Sequence, residues 1–192
     1  EGVEKGGKAR YEVDDIEVVK ADVKPVTTIF EDTFTWVDTS VDWANKLPAY
    51  KNNWAVFDGS IYAKYFCLQF GKSSTTEAGI TTHPLTKLGA TPTDITVEAQ
   101  LTGNAANKQS VYFQIVGAGS FSATESSAST TVQLDGFMPN ASSGATGEGF
   151  EGWETKTLTV YGADQTTQIR LACVKVDGVT QQFWLNSFRI TK

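Results

Sequence analysis

Apolar residues recur at every second position through most of this chain, in short runs separated by glycine, asparagine and aspartate. The closing stretch sets the pattern. Phe183 and Leu185 share one phase, Phe188 and Ile190 share the next, and the phase slips at Asn186-Ser187. A slip of one residue inside an apolar strand predicts a β-bulge, because side chains alternate between the two faces of a sheet. The same slip occurs near the start, between Tyr11 and Val13 on one side and Ile16 and Val18 on the other, with Lys20 falling where Lys192 falls. The echo reads as the last strand of one module and the closing stretch as the last strand of the next. Residues 1–28 are then an extended segment, the last strand of a preceding module followed by a linker through Pro25. Residues 29–192 are the module proper.

Alternation predicts strands at Ile29–Trp36, Trp54–Phe57, Ile61–Phe70, Ala78–Leu85 (stopped by Pro84), Asp94–Leu101, Val111–Val116, Thr131–Leu134, Trp153–Tyr161, Thr167–Val176 and the closing stretch. Asp58-Gly59 and Asp177-Gly178 are read as hairpin turns. No helical i, i+3, i+4 stripe of useful length occurs. Many short strands with turn residues between them predict an all-β fold, a two-sheet antiparallel jelly-roll β-sandwich in which Phe30–Trp36 pairs with Phe183–Ile190.

Three stretches lose the alternation: 37–53, 117–129 and 137–152. The first mixes Asp38, Asp42, Asn45, Lys46, Asn52 and Asn53 with Trp43 and Tyr50. Loops this long in a compact domain are usually functional or disordered.

Composition narrows the function classes. A chain of 192 residues is long enough to bury roughly 70% of its unfolded surface. A net charge of -6 with no basic cluster argues against a nucleic-acid footprint, and no apolar run is long enough for a transmembrane helix. The chain starts at Glu1, so it reads as a processed or excised piece, with any signal peptide or lipid anchor upstream. Cys67 and Cys173 have opposite parities relative to their strands' apolar faces, which predicts no disulfide and gives no metal spacing.

In order, Phe30-Glu31-Asp32, Trp54, Leu68-Gln69-Phe70-Gly71, Ile80-Thr81-Thr82-His83-Pro84-Leu85, Trp153 with Leu158, Ile169-Arg170-Leu171 and Phe183–Phe188 resemble the galactose-binding-like jelly-roll modules. The nearest pattern is the cleaved-adhesin type of secreted bacterial surface proteins. The resemblance covers most of 29–192 through short, degenerate motifs. It implies a secreted or outer-surface location, other modules in the same polypeptide, and a structural calcium beside the first strand. The family's tandem acids near the end are Asn186 and Ser187 here, and its Thr-Pro is interrupted by His83. A calcium set would draw on Glu31, Asp32 and the Asn186 side-chain oxygen.

Candidate chemistry points to binding. His83 is the sole histidine and has no acid at a fixed spacing, so no nucleophile–base pair is legible and the chain reads as a non-enzyme. Asn140-Ala-Ser142 matches a glycosylation sequon, read as coincidence. Sugars present C–H faces that stack on aromatic rings and hydroxyls that pair with acids and amides. Trp43 as platform, Asp42 and Asn45 as hydroxyl partners and Tyr50 flanking make the 37–53 loop a candidate glycan site. With the 137–152 or 117–129 loop it would wall a shallow polar cleft. The partner would be a glycan or cell-surface polysaccharide. The alternative is a structural spacer with no ligand, in which Trp43 and Tyr50 fold back as a lid on the core.

Overall fold

Strict alternation over Asp94–Leu101 puts Ile95, Val97, Ala99 and Leu101 on one face, and all four are buried. Facing them across the pairing are Ile190, Phe188 and Leu185, also buried, so these two strands form the spine of one sheet. The computed structural model describes residues 25–37, 53–59, 61–64, 67–71, 77–104, 110–124, 129–135, 139–140, 153–174 and 182–192.

Seven strands make the first sheet. Its path runs β10 (Glu154–Ala163), β6 (Thr93–Asn104), β12 (Phe183–Thr191), β4 (Cys67–Phe70) and β3 (Ile61–Lys64). β1 (Thr28–Asp32) also pairs with β12, and β9 (Pro139–Asn140) adds a short parallel pair to the end of β6. The second sheet runs β2 (Trp54–Gly59), β5 (Glu77–Thr82), β11 (Gln168–Val174), β7 (Ser110–Val116) and β8 (Thr131–Asp135), all antiparallel. The fold is a two-sheet β-sandwich. Phe34, Trp54, Phe70, Phe113, Phe183 and Phe188 are fully buried in its core, each ring contributing roughly 1.5–3 kcal/mol of burial. Phe70 and Phe183 stack with centroids 4.4 Å apart.

The expected pairing of the first and last strands is present over Thr28–Asp32, with Phe30 opposite Ile190 and Asp32 opposite Phe188, but the strand ends there rather than at Trp36. The expected bulge is present too. Leu185 pairs with Leu101 and Ser187 with Gln100, so Asn186 is the extra residue. No disulfide joins Cys67 and Cys173, which are buried in different sheets.

Two further readings need correction. β2 runs through Asp58-Gly59, and β3 lies in the other sheet, so this pair is not a hairpin turn. Asp177-Gly178 lies outside the described residues. Asp-Gly favours a turn, but at 58–59 the pair lies in a strand, and the next strand along the chain belongs to the other sheet. Conversely, Ile61–Phe70 is two strands, β3 and β4, paired as a hairpin with Ile61 opposite Phe70 and Lys64 opposite Cys67. Between them the sequence has Tyr65-Phe66 rather than glycine or asparagine, so it gives no punctuation there. The echo at 11–20 lies outside the described residues.

Candidate binding site

The first strand stops at Asp32 because the chain turns back on that residue's own carboxylate. Asp32 is 7% exposed. The Phe34 amide donates to Oδ1 at 2.8 Å, the Trp36 indole to Oδ1 and Oδ2 at 3.0 and 3.1 Å, and the Trp54 indole to Oδ2 at 3.0 Å. A buried carboxylate is tolerated only when donors replace its water, and charge-assisted bonds are the strongest available. Phe34 takes a left-handed φ of 53°, the one non-glycine residue so placed among those described. That conformation costs on the order of 1–3 kcal/mol. The Asp32 bond and the stack of Phe34 on Trp54, with centroids 6.1 Å apart, offset it. Phe30 meets Trp54 and Phe188 edge-on at 5.2 and 5.8 Å. Trp36 and Trp54 precede and follow the 37–53 loop, so one carboxylate fixes both of the loop's ends.

A second wall faces β1. After β5 the chain runs through His83 and Pro84 into a short 3₁₀ turn, Thr86–Leu88. The start of β11 holds this wall: Gln168 Nε2 donates to the Thr82 carbonyl at 2.7 Å and the Ile169 amide to Thr82 Oγ1 at 3.0 Å. The Leu85 amide donates to the Thr167 carbonyl and the Gln165 amide to the Gly89 carbonyl. Residues 164–167 form a tight turn in which the Thr166 hydroxyl and amide both donate to Asp164 Oδ1, at 2.6 and 2.7 Å. These donors hold the Asp164 carboxyl below its ordinary value of 3.8. The His83 amide closes the corner by donating to the Asn53 carbonyl at 3.2 Å.

Between the walls lies a cleft of about 440 Å³, lined by Thr28–Glu31 on one side, His83–Lys87 on the other and Asn53 at the corner. Exposed Pro84 and half-buried Phe30 supply apolar surface. Glu31, His83, Thr86, Lys87 and Asn53 are exposed around them. Hydroxyl, amide, carboxylate, imidazole and ammonium groups thus surround a small apolar patch. Such a set can accept and donate to neighbouring hydroxyls while a C–H face rests on the patch.

Trp43, Asp42, Asn45 and Tyr50 lie outside the described residues, as do most of 137–152 and part of 117–129. Of the calcium set, Glu31 is exposed and Asp32 buried, on opposite sides of β1. Asn186 turns to β6, donating from Nδ2 to Gln100 Oε1 at 2.8 Å. Those three do not converge on one point, and both Asp32 oxygens already accept N–H bonds. Among the described residues no three His, Cys, Asp or Glu side chains gather as a metal centre requires. His83, read as a surface residue, does line the cleft. Sequence reasoning missed the Asp32 clamp, although a signal was present: Asp32 shares parity with Phe30, Phe34 and Trp36, and an acid on an apolar face needs donors.

No protein-family model matches the chain, and no curated protein does. Among solved structures, the CBM22-2 xylan-binding domain of Paenibacillus barcinonensis Xyn10C is similar at 11% identity and a TM-score of 0.45, over 85% of this chain and 98% of that one. The CBM22-1 domain of the same protein gives 13% and 0.41, over 87% and 95%. The K3 cleaved adhesin domain of Lys-gingipain from Porphyromonas gingivalis gives 15% and 0.37, over 72% and 75%. The last is of the module type whose motifs the sequence resembles. At such identities nothing about a ligand follows.

Proposed function

We propose that this chain is a non-catalytic carbohydrate-binding or adhesive module of a secreted or cell-surface protein, and that its glycan sits in the cleft between Thr28–Glu31 and His83–Lys87, next to the ends of the 37–53 loop. The observation that carries the reading is the cleft itself. It is open and polar-rimmed, with a small apolar patch, and its walls are held by backbone bonds from β11 and the 164–167 turn. Rigid walls limit the ordering cost of binding, which matters for a ligand held by stacking and a few hydrogen bonds. Trp43 is the aromatic platform, Asp42 and Asn45 take hydroxyls, and Tyr50 flanks them.

The spacer alternative meets an obstacle in the fold. Thr27 and Lys192 exchange both backbone N–H···O bonds, at 2.8 and 3.0 Å. Chain joined at these two residues therefore meets the module at one point, roughly 5.5 Å apart. A module attached in this way hangs from a polypeptide and adds almost nothing to its length. That geometry favours display over spacing.

A glycan-array screen tests the reading. Retention of at least one glycan class is expected, with micromolar to millimolar affinity, roughly 4–8 kcal/mol. Trp43→Ala should abolish it while leaving the melting temperature nearly unchanged. If that substitution instead lowers stability by several kcal/mol, as truncating a buried Trp does, Trp43 is a core lid and the module has lost its platform.

A further inference from the structure

The cleft does not end at Glu31. The same side chain lines a second depression, of about 260 Å³, on the outer face of the seven-stranded sheet, together with Thr33, Glu98, Gln100, Ser187 and Arg189. Strand register explains its chemistry. Glu31 lies opposite Arg189, Arg189 opposite Glu98, and Glu98 opposite Thr157, forming one row across β1, β12, β6 and β10. Ser187, Gln100 and Thr155 form the next row, and Thr28, Thr191, Thr96 and Thr159 form the row on the other side. Every position in these rows carries a hydroxyl, amide, carboxylate or guanidinium group. Three inter-strand spacings make the strip roughly 14 Å wide.

Arg189 sits between two glutamates without closing on either. Its Nη2 donates to Thr28 Oγ1 at 3.3 Å, and no ion pair joins it to Glu31 or Glu98. Both carboxylates and the exposed guanidinium can therefore accept from and donate to hydroxyls. Two acids against one base, on a chain of net charge -6, repel a polyanion. We infer that the cleft and the strip form one continuous track, bent at Glu31, that takes the interior of an extended neutral polysaccharide rather than a terminal sugar. The inference rests on the reading of the cleft as a glycan site. It adds the class of ligand and the direction in which the chain leaves.

Isothermal titration with neutral xylo-, cello- and manno-oligosaccharides, from monomer to hexamer, tests it. Affinity of the wild-type protein should rise about tenfold or more from disaccharide to hexamer for the series that binds. Arg189→Ala with Glu98→Ala should lower the hexamer affinity toward that of the disaccharide. Thr155→Arg, which places a bulky side chain across the strip from an exposed strand position, should do the same and guards against misfolding of the double variant. Equal affinity for short and long oligomers, or a length dependence untouched by both variants, overturns the track while leaving the cleft. Absence of binding by any series at millimolar concentration, with binding of a terminal-sugar glycan on the array, also overturns it. No glycan binding of any kind overturns the cleft reading as well.

Discussion

Asp32 holds the end of β1 beside the cleft, and its partners stand two, four and 22 positions away along the chain. Alternation assigns a residue to a face but says nothing about what waits on that face, so the acid was legible and its two indole partners were not. Trp54 was legible as a packing residue and is fully buried. Its N–H, which decides its orientation, answers to a residue on the other sheet. Removing the carboxylate takes an acceptor from the buried Trp54 indole, the half-buried Trp36 indole and the Phe34 amide. Asp32→Ala should lower unfolding free energy by about 3 kcal/mol, and Asp32→Asn by nearly as much, because an amide offers one acceptor where two oxygens now serve three groups. Urea denaturation checks this. An Asp32→Asn variant as stable as the wild type would show that the carboxylate charge is not needed there.

Elements were read well where a strand carries regular alternation and poorly where the chain changes sheets. β6, β10 and β12 came out within a few residues, and the Asn186 bulge was visible as a phase slip. The hairpin between β3 and β4 was invisible for want of turn residues. The wall at 83–88 was also unreadable, since its stability comes from β11 and the 164–167 turn, far away in sequence. Two predictions belong here. Gly117 has a φ of +86°, and a Cβ there would lie 2.4 Å from the Thr166 carbonyl oxygen, whereas at Gly89, with a φ of +73°, a Cβ would meet nothing within 4 Å. Gly117→Ala should therefore destabilise by more than Gly89→Ala, whose cost is the conformational one of placing a Cβ at φ 73°, ψ -173°, about 1–3 kcal/mol. Comparative thermal melts decide the order. The second concerns pH. Because Asp164 is held below its ordinary value of 3.8, its contribution to the 164–167 turn is complete above that value. It is lost as pH falls through the lowered one. Hydrogen exchange at the Thr166 amide should therefore be slow at neutral pH and accelerate in acid beyond the intrinsic pH trend. Asp164→Asn should largely remove the change.

For the whole molecule, the sandwich was readable because its two faces impose period two on nearly every strand. The location of the cleft was not, because it forms where β1 faces Asn53 and the His83–Lys87 segment, and no motif joins them in sequence. Adjacency of Thr27 and Lys192 makes one more prediction at this scale. A circular permutant of residues 27–192 that joins Lys192 to Thr27 by a short linker and opens between β6 and β7 should keep the fold and melt within a few degrees of the unpermuted 27–192 chain, as measured by circular dichroism. The central claim, that the cleft between β1 and the His83–Lys87 wall holds a glycan, is tested most directly by amide chemical-shift mapping. The isotope-labelled protein would be titrated with a glycan retained on the array. The account predicts that the largest shifts fall on Thr28–Glu31, Asn53, His83 and Leu85–Lys87, spreading to Arg189 and Gln100 as the oligomer lengthens. Shifts concentrated instead on the outer face of the five-stranded sheet, at Tyr112, Gln114 and Arg170, would contradict it.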